Sequence, residues 1–223
     1  MKFLLAALAM SASLTPAAQA ATLSAPVPDG DLDRLIAVLM PEQGLIDVLM
    51  VAAGKGLDSD NSADFARYPG MRDYVLDQVR PEIVRVFRAA LPELRASVGA
   101  ILSRELTAQE IRDLYTFFSS PTGQKLYAIV VDVAGETAGQ DEDAIKQVMM
   151  DRIMATMTPD DYGPMATFAA SSASGKMQTI SPQIRAASVA WADKLVAANA
   201  VTIRTLRDKA IADYKRAHPK AGQ

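Results

Sequence analysis

Residues 105–126, ELTAQEIRDLYTFFSSPTGQKL, decide the fold because they carry the signals that end one helix and begin the next. Thr107 is a favourable N-cap residue, and Glu110 three residues later completes a capping box. Ser120 and Pro121 repeat the pattern of a cap and a first helical position, where a missing N–H costs nothing. The stretch therefore predicts a corner between two helices.

The apolar and small residues of this stretch fit the same corner. Leu106 and Ile111 flank the capping box as a hydrophobic staple. Phe117 ends the capped helix and is expected to face the core. Gly123 removes a side chain where the two helix ends crowd together, so we interpret these residues as structural.

A functional alternative exists for the polar groups of the corner. Ser119 and Ser120 would need a nearby base to act as nucleophiles, and the single histidine, His218, lies near the C-terminus. The N-terminus of the second helix, beside Lys125, would suit a carboxylate or phosphate. Lys125 is therefore a candidate anion-binding residue, and the sequence predicts no catalytic residue here.

A repeat with an offset of 51 residues extends the corner into the second half of the chain. Thr107 matches Thr158, and Phe117 matches Phe168. Four spaced apolar residues of each copy also correspond: Leu94, Val98, Leu102 and Leu106 match Ile145, Met149, Ile153 and Met157. The pattern predicts two related three-helix units.

The corner also resembles a known family. The shared motif is a helix opened by Leu-Thr and an acidic residue, followed by an aromatic pair and Ser-Pro-x-Gly-x-Lys. It comprises Leu106, Thr107, Glu110, Phe117, Phe118, Ser120, Pro121, Gly123 and Lys125. In these residues the chain resembles the DUF2059 family, a bacterial envelope domain of unknown function. The resemblance, over about residues 90–140, implies an α-helical secreted or periplasmic domain and carries no activity.

The rest of the chain predicts an all-α helical bundle, because apolar residues recur at helical spacing and no alternating strand occurs. Residues 54–56 are expected to end a helix, and residues 58–64 to form an acidic loop. Pro81 and Pro92 are each placed in the first turn of a new helix, since a proline inside a helix costs about 3 kcal/mol.

The first residues predict export. Lys2, an apolar run and Ala-Gln-Ala at residues 18–20 form a signal peptide over residues 1–20. Residues 21–30 are a predicted flexible leader, and residues 31–223 a single all-helical domain. Within that domain we predict unit one at 93–139, unit two at 144–181 and a C-terminal helix at 182–217. We expect a soluble protein of the bacterial periplasm.

Composition limits the function classes. The chain has no cysteine, a formal net charge of −3 and no basic cluster, which argues against nucleic acid as a partner. Beyond the signal peptide we expect no transmembrane segment. A heptad-like spacing on the last helix would allow a homodimer.

The acidic residues give two further hypotheses. Asp58, Asp60, Asn61 and Asp64 could supply oxygen ligands to calcium, but Ala63 and Pro69 stand where an EF-hand needs glycine and glutamate. We therefore predict neither a metal nor a cofactor. Four carboxylates are interpreted as helix-start residues, although an acid–base pair among them would support a hydrolase: Glu105, Glu110, Asp160 and Asp161.

Met150 and Met154 form an apolar strip in the second copy, where the first copy has Gly99 and Ser103. The strip would pack against other helices, present an adaptable surface to a partner, or offer thioethers to Cu(I). The favoured interpretation is packing.

Together these observations predict an exported periplasmic helical protein of unknown activity. It is expected to be a non-catalytic binding or scaffold protein of the cell envelope. Its partner is unknown, either a protein or an apolar ligand held between helices. The alternatives are a carboxylate-dependent hydrolase of envelope polymers and a Cu(I)-binding protein that uses methionine.

Overall fold

The protein is all-α in the residues that its computed structural model describes, 29–136 and 142–219. The helices are α1 (Asp29–Leu39), α2 (Glu42–Arg67), α3 (Met71–Glu105), α4 (Ala108–Ser119), α5 (Pro121–Glu136), α6 (Glu142–Thr156), α7 (Pro159–Ala169) and α8 (Ser172–Ala217). The predicted fold class is confirmed. The predicted signal peptide, residues 1–20, lies outside the described residues, and α1 includes the last two residues of the predicted leader.

The predicted breaks at Pro81 and Pro92 are wrong, because α3 continues through both prolines. Both rings are exposed to solvent. On that side of the helix, water can bond the carbonyl that each proline leaves without an N–H donor. The prolines therefore stay within one helix of 35 residues.

The predicted break at residues 54–56 is also wrong. Helix α2 runs through these residues and through the expected acidic loop, and its only non-helical backbone is at Asn61, with φ −135° and ψ 19°. Acidic residues of the expected loop instead bind cations of other helices. Asp58 accepts from Arg72 at 2.5 Å, Asp60 lies 3.2 Å from Arg207, and Asp64 lies 2.7 Å from Lys215.

The predicted boundary between unit two and the C-terminal helix, at residues 181/182, does not exist in the structure. Helix α8 runs for 46 residues through Pro182, whose ring is exposed. In its last turns, Tyr214 Oη donates to the Pro69 carbonyl at 2.5 Å. The end of α8 is therefore anchored at the turn between α2 and α3.

The described residues form a main core cluster and two smaller ones. The main cluster joins α1, α2, α3, α4 and α8 and includes the fully buried Leu35, Leu94, Leu102 and Leu114. Trp191 of α8 packs edge-on against Phe87 of α3 and donates to the Ala90 carbonyl at 3.1 Å. Helices α3 and α8 are thus held together along the main cluster.

One described stretch, residues 30–67, is long and apolar enough to cross a membrane by length and composition. An 18-residue segment of it has a mean hydropathy of 1.8, and 39% of that segment is buried. It comprises α1 and α2, which are separated at Pro41. Leu35 and Leu39 of α1, with Leu45 and Ile46 of α2, are buried in the main cluster. Part of the apolar surface of this stretch therefore faces the protein core.

Candidate functional site: paired helix corners and an apolar cavity

The first corner has the predicted caps. The Thr107 backbone N–H donates to Glu110 Oε2 at 2.8 Å, and the Glu110 N–H donates to Thr107 Oγ1 at 3.2 Å. At the next helix, the Gly123 N–H donates to Ser120 Oγ at 3.1 Å. Pro121 is the first residue of α5. These contacts explain why both helices begin where the sequence places them.

Gly123 is required by the close approach of α4 and α5. A Cβ at this position would lie 2.0 Å from the Phe117 carbonyl oxygen and 2.7 Å from Phe118 Cα. Both are backbone atoms, so a side-chain rotation could not relieve the overlap. The contact between α4 and α5 therefore leaves no room for a side chain at Gly123.

The second corner repeats most of this arrangement. One bond differs, because the Thr158 hydroxyl donates to Asp161 Oδ2 at 2.8 Å and the Asp161 N–H donates to the Thr158 carbonyl at 2.9 Å. The Thr158 N–H donates to Asp161 Oδ2 at 2.9 Å, and the Ser174 N–H donates to Ser171 Oγ at 3.2 Å. The two corners also touch, because the rings of Phe117 and Phe168 stack with centroids 4.0 Å apart and planes 6° from parallel. The predicted core position of Phe117 is thus a contact between the two copies.

Each corner receives a lysine from the other copy. Lys176 Nζ of α8 lies 2.7 Å from Glu110 Oε2 of α4, and Lys125 Nζ of α5 lies 2.8 Å from Asp161 Oδ2 of α7. The two lysines are 51 residues apart, as are the two carboxylates. Sequence reasoning missed this exchange, although the shared offset was a usable signal.

These contacts hold both carboxylates in the ionised form. Lys125, followed by the Thr158 N–H and the Thr122 hydroxyl, holds the pKa of Asp161 well below its usual range. Burial alone would raise the pKa of Glu110, but hydrogen bonds from Lys176 and the Thr107 N–H outweigh it, so that pKa is lowered. Both groups act as internal counter-ions.

This arrangement bears on two of the candidate sites. The Thr122 hydroxyl and Lys125 Nζ, at the start of α5, both donate to the carboxylate of Asp161, so an external anion at Lys125 would compete with an internal one. Glu110 and Asp161 each cap a helix and bind a separate lysine. A carboxyl that donates a proton needs a raised pKa, and these two have lowered ones.

Met150 and Met154 do not pack against other helices, so the favoured interpretation of this strip is wrong. Their side chains are 57% and 74% exposed, because α6 turns this face away from α5. Met149 and Met157, by contrast, are buried in a smaller cluster with Ile129 and Val133. The strip is a solvent-facing surface.

The described residues contain an apolar cavity of about 410 Å³ between α2, α3 and α8. Its walls are mainly aliphatic and include Leu49, Leu57, Leu76, Ile83, Leu195 and Ile203. Small residues widen it, since Ala53 and Gly56 line the α2 side and Ala200 the α8 side. The walls come from segments more than a hundred residues apart, so helical periodicity could not have shown them together.

Polar groups lie at the edge of this cavity. Asp60 of α2 and Arg207 of α8 form an ion pair across it, and Asp208 shares the guanidinium of Arg207 at 2.8 Å. Arg204, one turn earlier on α8, is exposed and also lines the cavity. An apolar chamber with a cationic edge can accommodate an apolar chain that ends in a polar group.

Comparison with known proteins adds one positive finding. No curated protein and no solved structure matches the chain. A family model matches the first corner and the helices on either side of it, which are the last part of α3 and α5. Residues 92–141 match the family model described as "Uncharacterized protein conserved in bacteria (DUF2059)", which confirms the resemblance seen in the motif.

Proposed function

We propose that the protein is a non-catalytic binding protein of the bacterial envelope that holds the apolar part of a small molecule between α2, α3 and α8. The cavity carries the proposal, because its 410 Å³ lies within the roughly 300–1,000 Å³ of pockets that hold small molecules. Export is supported by the signal-peptide pattern of residues 1–20 and by the family resemblance.

The composition of the walls favours binding over chemistry. Asp60 is the one carboxylate among the cavity-lining residues that the structure describes, and it is paired with Arg207. A glycosidase-type hydrolase needs two carboxyl groups that flank the scissile bond. The apolar walls and the small residues that widen them instead suit a ligand held by burial of its surface.

Filling the cavity tests the proposal. Ala200→Leu places a larger side chain in the cavity, whereas Ala198→Leu makes the same change at an exposed position of α8 outside it. We expect the apolar fluorescent probe N-phenylnaphthylamine to bind the wild type and Ala198→Leu equally. Ala200→Leu should weaken binding about tenfold or more, because the side chain occupies the space the probe needs.

Thermal unfolding accompanies this titration, because a filled cavity should keep or raise the stability of Ala200→Leu. Equal probe affinity in a folded Ala200→Leu protein would contradict the proposal. So would a wild type that does not bind the probe.

A further inference from the structure

We infer that the cavity selects an anionic single-chain amphiphile, whose chain lies between the helices and whose headgroup is bound by Arg204. This inference rests on the proposed function and adds the ligand class. It depends on the charges at the edge of the cavity, not on its apolar walls, so the two can be tested separately.

The charged groups at the edge of the cavity are not all paired. Asp60, Arg204 and Arg207 line the cavity, and Asp208 beside them brings the total charge to zero. The guanidinium of Arg207 is engaged by Asp60 at 3.2 Å and by Asp208 at 2.8 Å. Among the residues that the structure describes, no hydrogen-bond acceptor or carboxylate pairs with Arg204. The edge thus presents one unused cation beside an apolar chamber.

The position of Arg204 fits a headgroup that remains in water. Its side chain is exposed, while Ile203 and Ala200, its neighbours on α8, are half-buried and line the same cavity. A ligand can therefore bury its chain and leave its charge at the surface, which avoids the cost of moving an ion into an apolar interior. A guanidinium also bonds carboxylate and phosphate groups with two parallel N–H donors.

Matched ligands and matched variants separate the headgroup from the chain. The ligands are dodecanoate and dodecanol, titrated calorimetrically below their aggregation limits. The measured quantity is the ratio of their dissociation constants, which is compared between proteins so that differences in ligand solubility cancel. The variants are Arg204→Gln and Arg216→Gln, an equal charge change on α8 at an exposed arginine outside the cavity.

We expect Arg204→Gln to reduce the preference for dodecanoate about threefold to fivefold, because an ion pair exposed to water contributes only a small binding free energy. Arg216→Gln should leave the ratio unchanged. The wild-type preference should fall with added salt, whereas that of Arg204→Gln should not. Dodecyl phosphate is a third ligand. Tighter binding than that of dodecanoate would assign the headgroup as phosphate, and weaker binding would assign it as carboxylate.

Two results would overturn the inference. An equal ratio in all three proteins, with dodecanol still bound, would leave the cavity as a binding site and remove its charge selectivity. If the preference for dodecanoate falls equally in both variants, it comes from the overall charge of the protein and not from Arg204. If neither dodecanoate nor dodecanol binds the wild type, the proposed function itself fails.

Discussion

The two copies of the corner keep most of the same contacts but differ in how closely they are packed. In the first copy the α5 start has no room for a Cβ at Gly123, while the equivalent residue of the second copy is Ser174. The Gln124 N–H lies 2.9 Å from the Ser120 carbonyl, whereas the Gly175 N–H lies 3.4 Å from that of Ser171. The two corners thus share most of their cap hydrogen bonds, and they differ in how tightly the helix that follows each corner is packed at its start.

A difference in packing also explains why Met150 and Met154 are exposed. Gly99 of the first copy lies under α1, where an added Cβ would be 3.0 Å from Ile36 Cδ1. The equivalent Met150 lies on α6, whose substantial contacts among the described residues are with α5, and its side chain is exposed. A side chain at position 99 would have to shift Ile36 of α1, whereas the side chain at position 150 is exposed.

The largest effect should come from Gly123→Ala, which breaks the tight corner. The added Cβ overlaps backbone atoms, so we expect the free energy of unfolding to fall by about 3 kcal/mol or more, measured by urea denaturation.

Gly175→Ala is its control in the second corner, because no atom lies within 4 Å of the added Cβ. It should raise stability by up to about 1 kcal/mol through helix propensity. Equal losses in both variants would show that the two corners are packed alike.

A smaller effect is expected from Asp161→Asn, which removes the carboxylate that Lys125 binds. The lowered pKa of Asp161 means that its stabilising contribution is complete above the unfolded pKa of about 3.9 and is lost as the pH falls through the lower folded pKa. We expect lower stability than wild type at pH 7 and a weaker loss of stability in acid.

Asp160→Asn is the neighbouring control, since Asp160 is exposed. Thermal unfolding between neutral pH and strong acid should show a lower melting temperature at pH 7 only for Asp161→Asn. Identical curves for both variants would mean that the ion pair with Lys125 adds nothing to stability.

The smallest effect is expected from Met150→Ser combined with Met154→Ser. Both side chains are exposed, so each change should alter stability by no more than about 0.5 kcal/mol. Met149→Ala, a buried neighbour on α6, should cost about 2–5 kcal/mol. A large loss in the double variant would restore the packing interpretation, and a Cu(I) titration without binding to wild type would remove the copper alternative.

The sequence predicted local features well and tertiary ones poorly. Thr107, Ser120 and Gly123 were identified because caps and close turns depend on neighbours in the chain. The breaks at Pro81 and Pro92 were wrong because a proline's cost depends on whether its helix face meets water. The local sequence does not show which face of a helix will be exposed to water.

The candidate cavity was beyond the reach of periodicity for a related reason. Ala53 and Ala200 face one cavity although 147 positions separate them, and each fits an ordinary helix pattern alone. The expectation of an apolar ligand between helices was general. Its place depends on how α2, α3 and α8 pack against one another, which only the packed structure shows.

The exchange of lysines sets a condition on any chain that carries a single copy of this corner. Residues 92–141, the part that matches the family, contain Glu110 and Lys125 but neither Lys176 nor Asp161. One copy alone would leave its cap carboxylate without a cation and its lysine without an anion. Two such chains related by a two-fold axis could satisfy both pairs, and this protein makes within one chain the interface that they would make as a dimer.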